Sequence, residues 1–219
     1  MLDWSEVWAP LIPLIYYFFH RRQPAFLKPI IIYLFIAFFL NLAGDIIGDF
    51  KSVLPFRITS NNPLYNVHSI VRFICFSYFF IGLGQSDFTR LRLWIPWISL
   101  LIIVVNFSFV ENFGNPDHLS GNLLSAEAYL LLIYCMLYYL SKLRNEDDHV
   151  TGGADFWVVT GLSIYVVANF FVFLFYVPMI TFDPRLAERI WDVHNIAYIV
   201  LCIFITRAFY DAARHQFAI

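Results

Sequence analysis

Apolar positions run through this 219-residue chain in long blocks rather than in alternation. A helix needs about 20 predominantly apolar residues to cross the hydrocarbon core of a bilayer. Seven blocks meet that pattern, at roughly 4–20, 28–50, 63–84, 92–111, 122–142, 155–178 and 187–209. The first is the shortest, and Pro10 and Pro13 are expected to bend or loosen it. Pro63 suits the first turn of the third segment, where a missing N–H costs nothing. Polar connections such as "HRRQPAF", "GQSDFTRLR", "GNPDHLSGN" and "RNEDDHVTGGAD" separate the blocks, and no appended soluble domain is expected. The pattern predicts an all-α, polytopic integral membrane protein, a single seven-helix transmembrane domain over 1–219.

Composition supports this. Apolar residues make up 60% of the chain and charged residues 14%, against about 45–50% and about 25% in soluble domains. The net charge of −2 comes without any basic block, so nucleic acid is not an expected partner; the lipid bilayer is. Cys75, Cys135 and Cys202 lie in apolar runs without CxxC spacing and read as core thiols. The opening "MLDWSEVWAP" lacks the basic region of a signal peptide, so no cleavage is expected. Arg21, Arg22, Lys28, Arg90, Arg92, Lys142, Arg144, Arg207 and Arg214 fall on one side of the predicted topology, Lys51, Arg57, Arg185 and Arg189 on the other. Basic loops stay in the cytoplasm, so the N-terminus is expected outside and the C-terminus inside, in a plasma or inner membrane.

Two phrases repeat. "LYNVHSI" (64–70) lies over "IWDVHNI" (190–196) at an offset of 126, pairing Tyr65 with Trp191, Asn66 with Asp192, His68 with His194 and Ser69 with Asn195. "LFIAFFLN" (34–41) lies over "LSIYVVAN" (162–169), pairing Asn41 with Asn169, and "LIYY" in the first segment lies over "LIYC" in the fifth. The expected plan is a parallel 3+1+3 repeat with halves at about 1–84 and 122–209. Arg72 has no counterpart, because Tyr198 holds its matching position.

Ionisable groups at bilayer depth are costly and mark function. In the predicted topology Asn41, Asp45 and Asp49 share one face of the second segment near its outer end. His68 lies about 8–9 Å and Arg72 about 14–15 Å inside the third. Asn106, Glu127, Asn169, Asp192 and His194 complete the set, almost all in the outer half, whereas the inner half is mostly Phe, Tyr, Leu and Ile. The expectation is a polar cavity opening outward, with Tyr65 and Trp191 at its rim and Arg72 neutralised by Asp45 or Asp192.

The seven-helix 3+1+3 plan resembles the grouping of SWEET-type and PQ-loop transporters and microbial rhodopsins. Transport or sensing is what that resemblance implies. The Pro-Gln pair of PQ-loop proteins is absent, and Lys28, Lys51 and Lys142 leave no lysine in the seventh segment for retinal. "AGDIIGD" (43–49), followed by an intramembrane His, resembles the Gly-Asp and His pattern of lysoplasmalogenase-type membrane hydrolases, without their later acidic motif.

Three functions follow. One is a transporter or receptor for a small polar ligand, bound by His68, His194, Asn41, Asn169, Asp45, Asp192, Asn66, Asn195, Tyr65, Trp191, Arg72 and Glu127, with the histidines able to couple binding to pH. A second is a zinc-type intramembrane hydrolase using His68, His194, Asp45 and Asp49; a bis-histidine haem is its rarer variant. A third is a structural subunit that binds a partner membrane protein or another copy of itself, with the polar groups joining helices.

Overall fold

A computed structural model describes Leu2 and residues 4–50, 60–84, 87–111, 119–144 and 153–216. Lys51 and Arg57, used in the charge count above, lie outside the described residues. The helices are α1 (Ser5–Trp8), α2 (Leu11–Phe19), α3 (Lys28–Phe50), α4 (Asn62–Gly82), α5 (Thr89–Val105), α6 (Gly121–Arg144), α7 (Ala154–Phe182) and α8 (Pro184–Gln216). A 3₁₀ turn, Ala25–Leu27, leads into α3, and a π-turn, Asn106–Val110, extends α5. No strand occurs among the described residues. Six of these helices are long and apolar enough to cross a membrane: Ala25–Phe50, Asn62–Gly82, Thr89–Val110, Gly121–Arg144, Ala154–Phe182 and Pro184–Arg214.

The first predicted segment differs. It is two short helices of four and nine residues, neither long enough to span a bilayer by itself. Proline explains the break, since neither Pro10 nor Pro13 can donate a backbone bond. The pieces still run along the bundle. Trp4 Nε1 donates to Asp49 Oδ2 (3.0 Å) near the end of α3. At the other extreme, Tyr16 meets Tyr210 edge-on at 6.3 Å. The α8 residues reached by the segment extend from His194 to Tyr210, about 24 Å apart at 1.5 Å per residue.

The last two helices exceed their sequence-derived bounds. α7 continues through Pro178 to Phe182, and α8 begins at Pro184, so Asp183 alone connects them. The local chemistry is that of a helix start. Asp183 Oδ1 accepts the N–H of Leu186 (3.2 Å) as an N-cap, and Pro184 takes the first helical position. Arg185 and Leu186, ahead of the segment predicted from 187, lie in the first turn of α8.

α7 and α8 pack along each other, α6 lies against α7 and α4, and α3 lies against α4. Gly161 sets the α7–α8 approach: a Cβ there would lie 2.5 Å from Phe204 Cβ and 3.6 Å from the Leu201 backbone. The core is aromatic. Tyr33, Phe76, Phe79, Phe80, Tyr134, Tyr138, Tyr165, Tyr198 and Phe209 are all fully buried, and Phe80 stacks on Tyr134 at 4.9 Å. Among the described residues α5 packs mainly against α4 and α6 and leaves most of its apolar surface outward.

Proline inside a helix frees the carbonyl four residues back, and in an apolar medium that carbonyl needs another donor. Pro96 lies inside α5, and the carbonyl of Arg92 accepts instead from the Tyr134 hydroxyl on α6 (2.8 Å). Tyr134→Phe is expected to lower stability by about 1–3 kcal/mol, the cost of an unmet buried acceptor. Adding Pro96→Ala, which restores the backbone donor, should recover most of it. Thermal unfolding of the single and double variants in detergent checks this; equal losses in both would contradict it.

Candidate functional site

Five ionisable side chains come together at one end of the bundle, each at most 4% exposed: Glu6, His68, Arg72, Glu127 and His194. Burying charge in an apolar surrounding is costly unless partners satisfy it, and most of the partners are identifiable.

Arg72 and Glu127 form one closed unit. Arg72 Nε reaches Glu127 Oε1 at 2.5 Å and Arg72 Nη2 reaches Oε2 at 2.7 Å, a bidentate pairing. Ser69, one turn earlier on α4, donates its hydroxyl to Oε2 (2.5 Å). The guanidinium also lies 4.9 Å above the Tyr165 ring. Glu127 on α6 is thus the counter-ion of Arg72, not Asp45 or Asp192. Glu127 is buried beside Arg72, whereas Asp45 and Asp192 are only partly buried on α3 and α8.

The second unit is built around Glu6, which the sequence offers only as part of an acidic opening stretch. α1 turns this carboxylate into the bundle. His194 Nε2 and Glu6 Oε1 are 2.6 Å apart, and the Tyr65 hydroxyl donates to Oε2 (3.2 Å). The backbone of Glu6 is held as well. Pro10 cannot donate to its carbonyl, and Asn41 Nδ2 on α3 does so at 2.9 Å. A proline in one segment and an asparagine in another thereby fix the position of the acid.

The tautomer of His194 follows from its neighbours. Asn169 Nδ2 donates to the Tyr165 carbonyl (2.8 Å), which turns Asn169 Oδ1 towards His194. An amide oxygen only accepts, so His194 Nδ1 carries a proton and donates to it. The contact between Nε2 and Glu6 then holds one proton, resting on the imidazole or on the carboxyl. Around His194 the rings of Trp191 (4.7 Å, stacked), Phe173 (5.4 Å) and Tyr165 (5.8 Å) exclude water.

His68 lies beside this unit. Its ring stacks on Tyr33 at 5.7 Å, and its Nε2 has no hydrogen-bond partner among the described residues. Glu6, Tyr65, His68, Arg72, Leu124, Phe173, Trp191 and His194 enclose a cavity of about 10 Å³, scarcely the space of one water molecule. The polar cavity expected to open outward is therefore, in this conformation, a packed cluster. Tyr65 and Trp191 meet edge to face at 5.5 Å across it.

The other expected residues are placed elsewhere. Asn66 Oδ1 accepts the backbone N–H of Ser120 (3.1 Å), and Ser120 Oγ caps α6 by accepting the N–H of Leu123 (3.1 Å). Asn106 belongs to that neighbourhood through Ser120 Oγ (3.2 Å) and Glu111 Oε2 (2.7 Å). Asp49 meets Trp4, and Asp45 is partly buried one turn away on α3. Asp192 is half-buried on α8, and Asn195 is buried with its Oδ1 unbonded among the described residues.

The residues proposed for zinc do not form a ligand set. Among the described residues no three His, Cys, Asp or Glu side chains converge so as to hold a metal ion. Asp49 is engaged with Trp4, and His194 already uses both nitrogens. Nor does a space of about 10 Å³ between His68 and His194 fit a haem plane.

The two identical matched pairs, Asn41 with Asn169 and His68 with His194, have different partners. Asn169 orients His194, while Asn41 holds the Glu6 backbone; His194 is bonded at both nitrogens, while His68 Nε2 is not. The chain matches no protein-family model, no curated protein and no solved structure.

Proposed function

We propose that this chain is a multi-pass membrane protein, with its N-terminus outside, that binds a small polar ligand at the Glu6–His68–His194 cluster as a receptor or transporter. One observation carries the reading: four buried ionisable groups, Glu6, His68, Arg72 and His194, line a single small cavity between helices apolar enough for a bilayer, and a fifth, Glu127, pairs with one of them. Joining helices does not require so many. A single Asn or Ser serves that purpose, as Asn66 does with α6. An unbonded imidazole nitrogen beside a proton-sharing pair is expensive to keep and suits a site that gains partners when occupied.

The aromatic half of the bundle favours sensing over free passage. Beyond Tyr165 and Tyr198 the core is filled by buried Phe and Tyr side chains, and a polar solute would need several of them to move. If the parallel repeat holds as read from the sequence, rocking of its two three-helix halves would open such a path.

The test is a thermal-shift screen of purified protein against small polar metabolites, divalent metals and lipids. At least one polar solute is expected to raise the unfolding temperature of the native protein. His68→Ala and His194→Ala variants that retain helical content should lose that shift. A shift that survives in both variants, or the absence of any shift in the native protein, would sink the proposal.

A further inference from the structure

Glu6 is held by groups that do not belong to its own segment. His194 on α8 and Tyr65 on α4 make the two contacts to its carboxylate, and both residues remain in the bundle whatever α1 does. Withdrawing Glu6 would leave a tyrosine hydroxyl and the His194 Nε2 directed at the same empty volume. His68, whose Nε2 has no partner among the described residues, lines that volume as a third group. Arg72 is also on the wall, its charge already balanced by Glu127. Trp191 and Phe173 supply flat apolar surfaces around these donors. Fixed donors and a nitrogen able to carry a proton, framed by aromatic rings, are the chemistry that recognises a carboxylate.

The segment carrying Glu6 is short and is held by few contacts of its own. α1 has four residues and cannot hold a helical turn by its own propensity. Pro10 breaks its hydrogen-bond ladder to α2. Its anchors include the Glu6 contacts, the Asn41 bond to the Glu6 carbonyl, the Trp4 bond to Asp49 and the burial of Ser5 and Val7.

We propose that the site recognises a carboxylate-bearing small molecule, and that Glu6 is its tethered stand-in, displaced together with α1 when the ligand binds. This rests on the ligand-binding reading above and adds the chemical class and the manner of opening. The ligand carboxylate takes over the His194 and Tyr65 contacts and gains His68, while Glu6 moves to solvent.

Ser5 provides the reporter. It is fully buried and its hydroxyl has no partner among the described residues, so Ser5→Cys is a near-isosteric change. The three native cysteines are buried, and their background is measured in the parent. Acetate and benzoate are expected to accelerate maleimide labelling of S5C several-fold over acetamide and benzamide at equal concentration and ionic strength. S5C with Glu6→Gln should label faster than S5C even without ligand, because the carboxylate anchor is weakened. If neither carboxylate exceeds its amide while a non-carboxylate hit from the thermal screen does accelerate labelling, the site binds ligands but the carboxylate assignment is wrong. If E6Q leaves labelling unchanged and the carboxylates stabilise the protein without exposing the introduced thiol, α1 is a fixed wall and the displacement is wrong. If no compound shifts unfolding or labelling, the ligand-binding reading fails, and this inference with it.

Discussion

Arg72→Leu is expected to destabilise the protein by about 3–5 kcal/mol, the usual cost of removing one member of a buried ion pair. The loss comes less from the missing attraction than from what is left behind. Glu127 would remain 4% exposed with only the Ser69 hydroxyl on its carboxylate. Tyr165 would lose the guanidinium above its ring. Glu127→Leu should cost a similar amount, because an arginine stays charged wherever it is placed. The double variant Arg72→Leu/Glu127→Leu should be more stable than either single variant, since two apolar side chains leave no charge to solvate. Thermal unfolding in one detergent, with helical content followed by circular dichroism, reads all three. A double variant that loses the sum of the two singles would show that the pair is not the closed unit described.

His194→Phe is the second large effect. Phenylalanine keeps the ring against Trp191 and Phe173 but removes both nitrogens. Asn169 Oδ1 loses its donor, and Glu6 keeps only Tyr65 on its side chain. A buried carboxylate with one neutral donor is under-satisfied, and the expected loss is again about 3–5 kcal/mol, with part of it recovered if Glu6 takes up a proton. The effect should extend to α1. With Glu6 no longer tied to α8, protection of the Ser5–Trp8 backbone amides against hydrogen exchange should fall, while protection in α6 and α7 holds.

Much of this arrangement is legible in the chain. Six of the seven apolar blocks are long helices close to their predicted bounds, because block length and hydropathy are local properties. The histidines, Arg72 and Glu127 stand out in apolar runs, and they do come together. What depends on non-local geometry is less visible. Glu127 and Asp45 are equally acidic in sequence, and only the packing of α4 against α6 selects the partner of Arg72. Glu6 escapes sequence reasoning as a site residue for a similar cause. In "SEVWAP" it reads as a surface acid ahead of a proline, and its role depends on Asn41, which lies 35 positions away, capturing the carbonyl that Pro10 frees. The signal that could have found it is the combination itself: an acid four residues before a proline, flanked by tryptophans, in a chain where another helix carries an unexplained asparagine. α7 runs past its predicted end at 178 because a proline within a packed membrane helix is tolerated.

The account depends on Glu6 of the first segment reaching His194 of the last helix, 188 positions away. A double-mutant cycle with Glu6→Leu, His194→Phe and the combined variant, read as unfolding free energy in detergent, measures that contact. The predicted result is a coupling of at least about 1 kcal/mol, with the double variant no less stable than the worse single. Losses that add to within about 0.3–0.5 kcal/mol would mean that the two residues do not meet, and would contradict the site built from them.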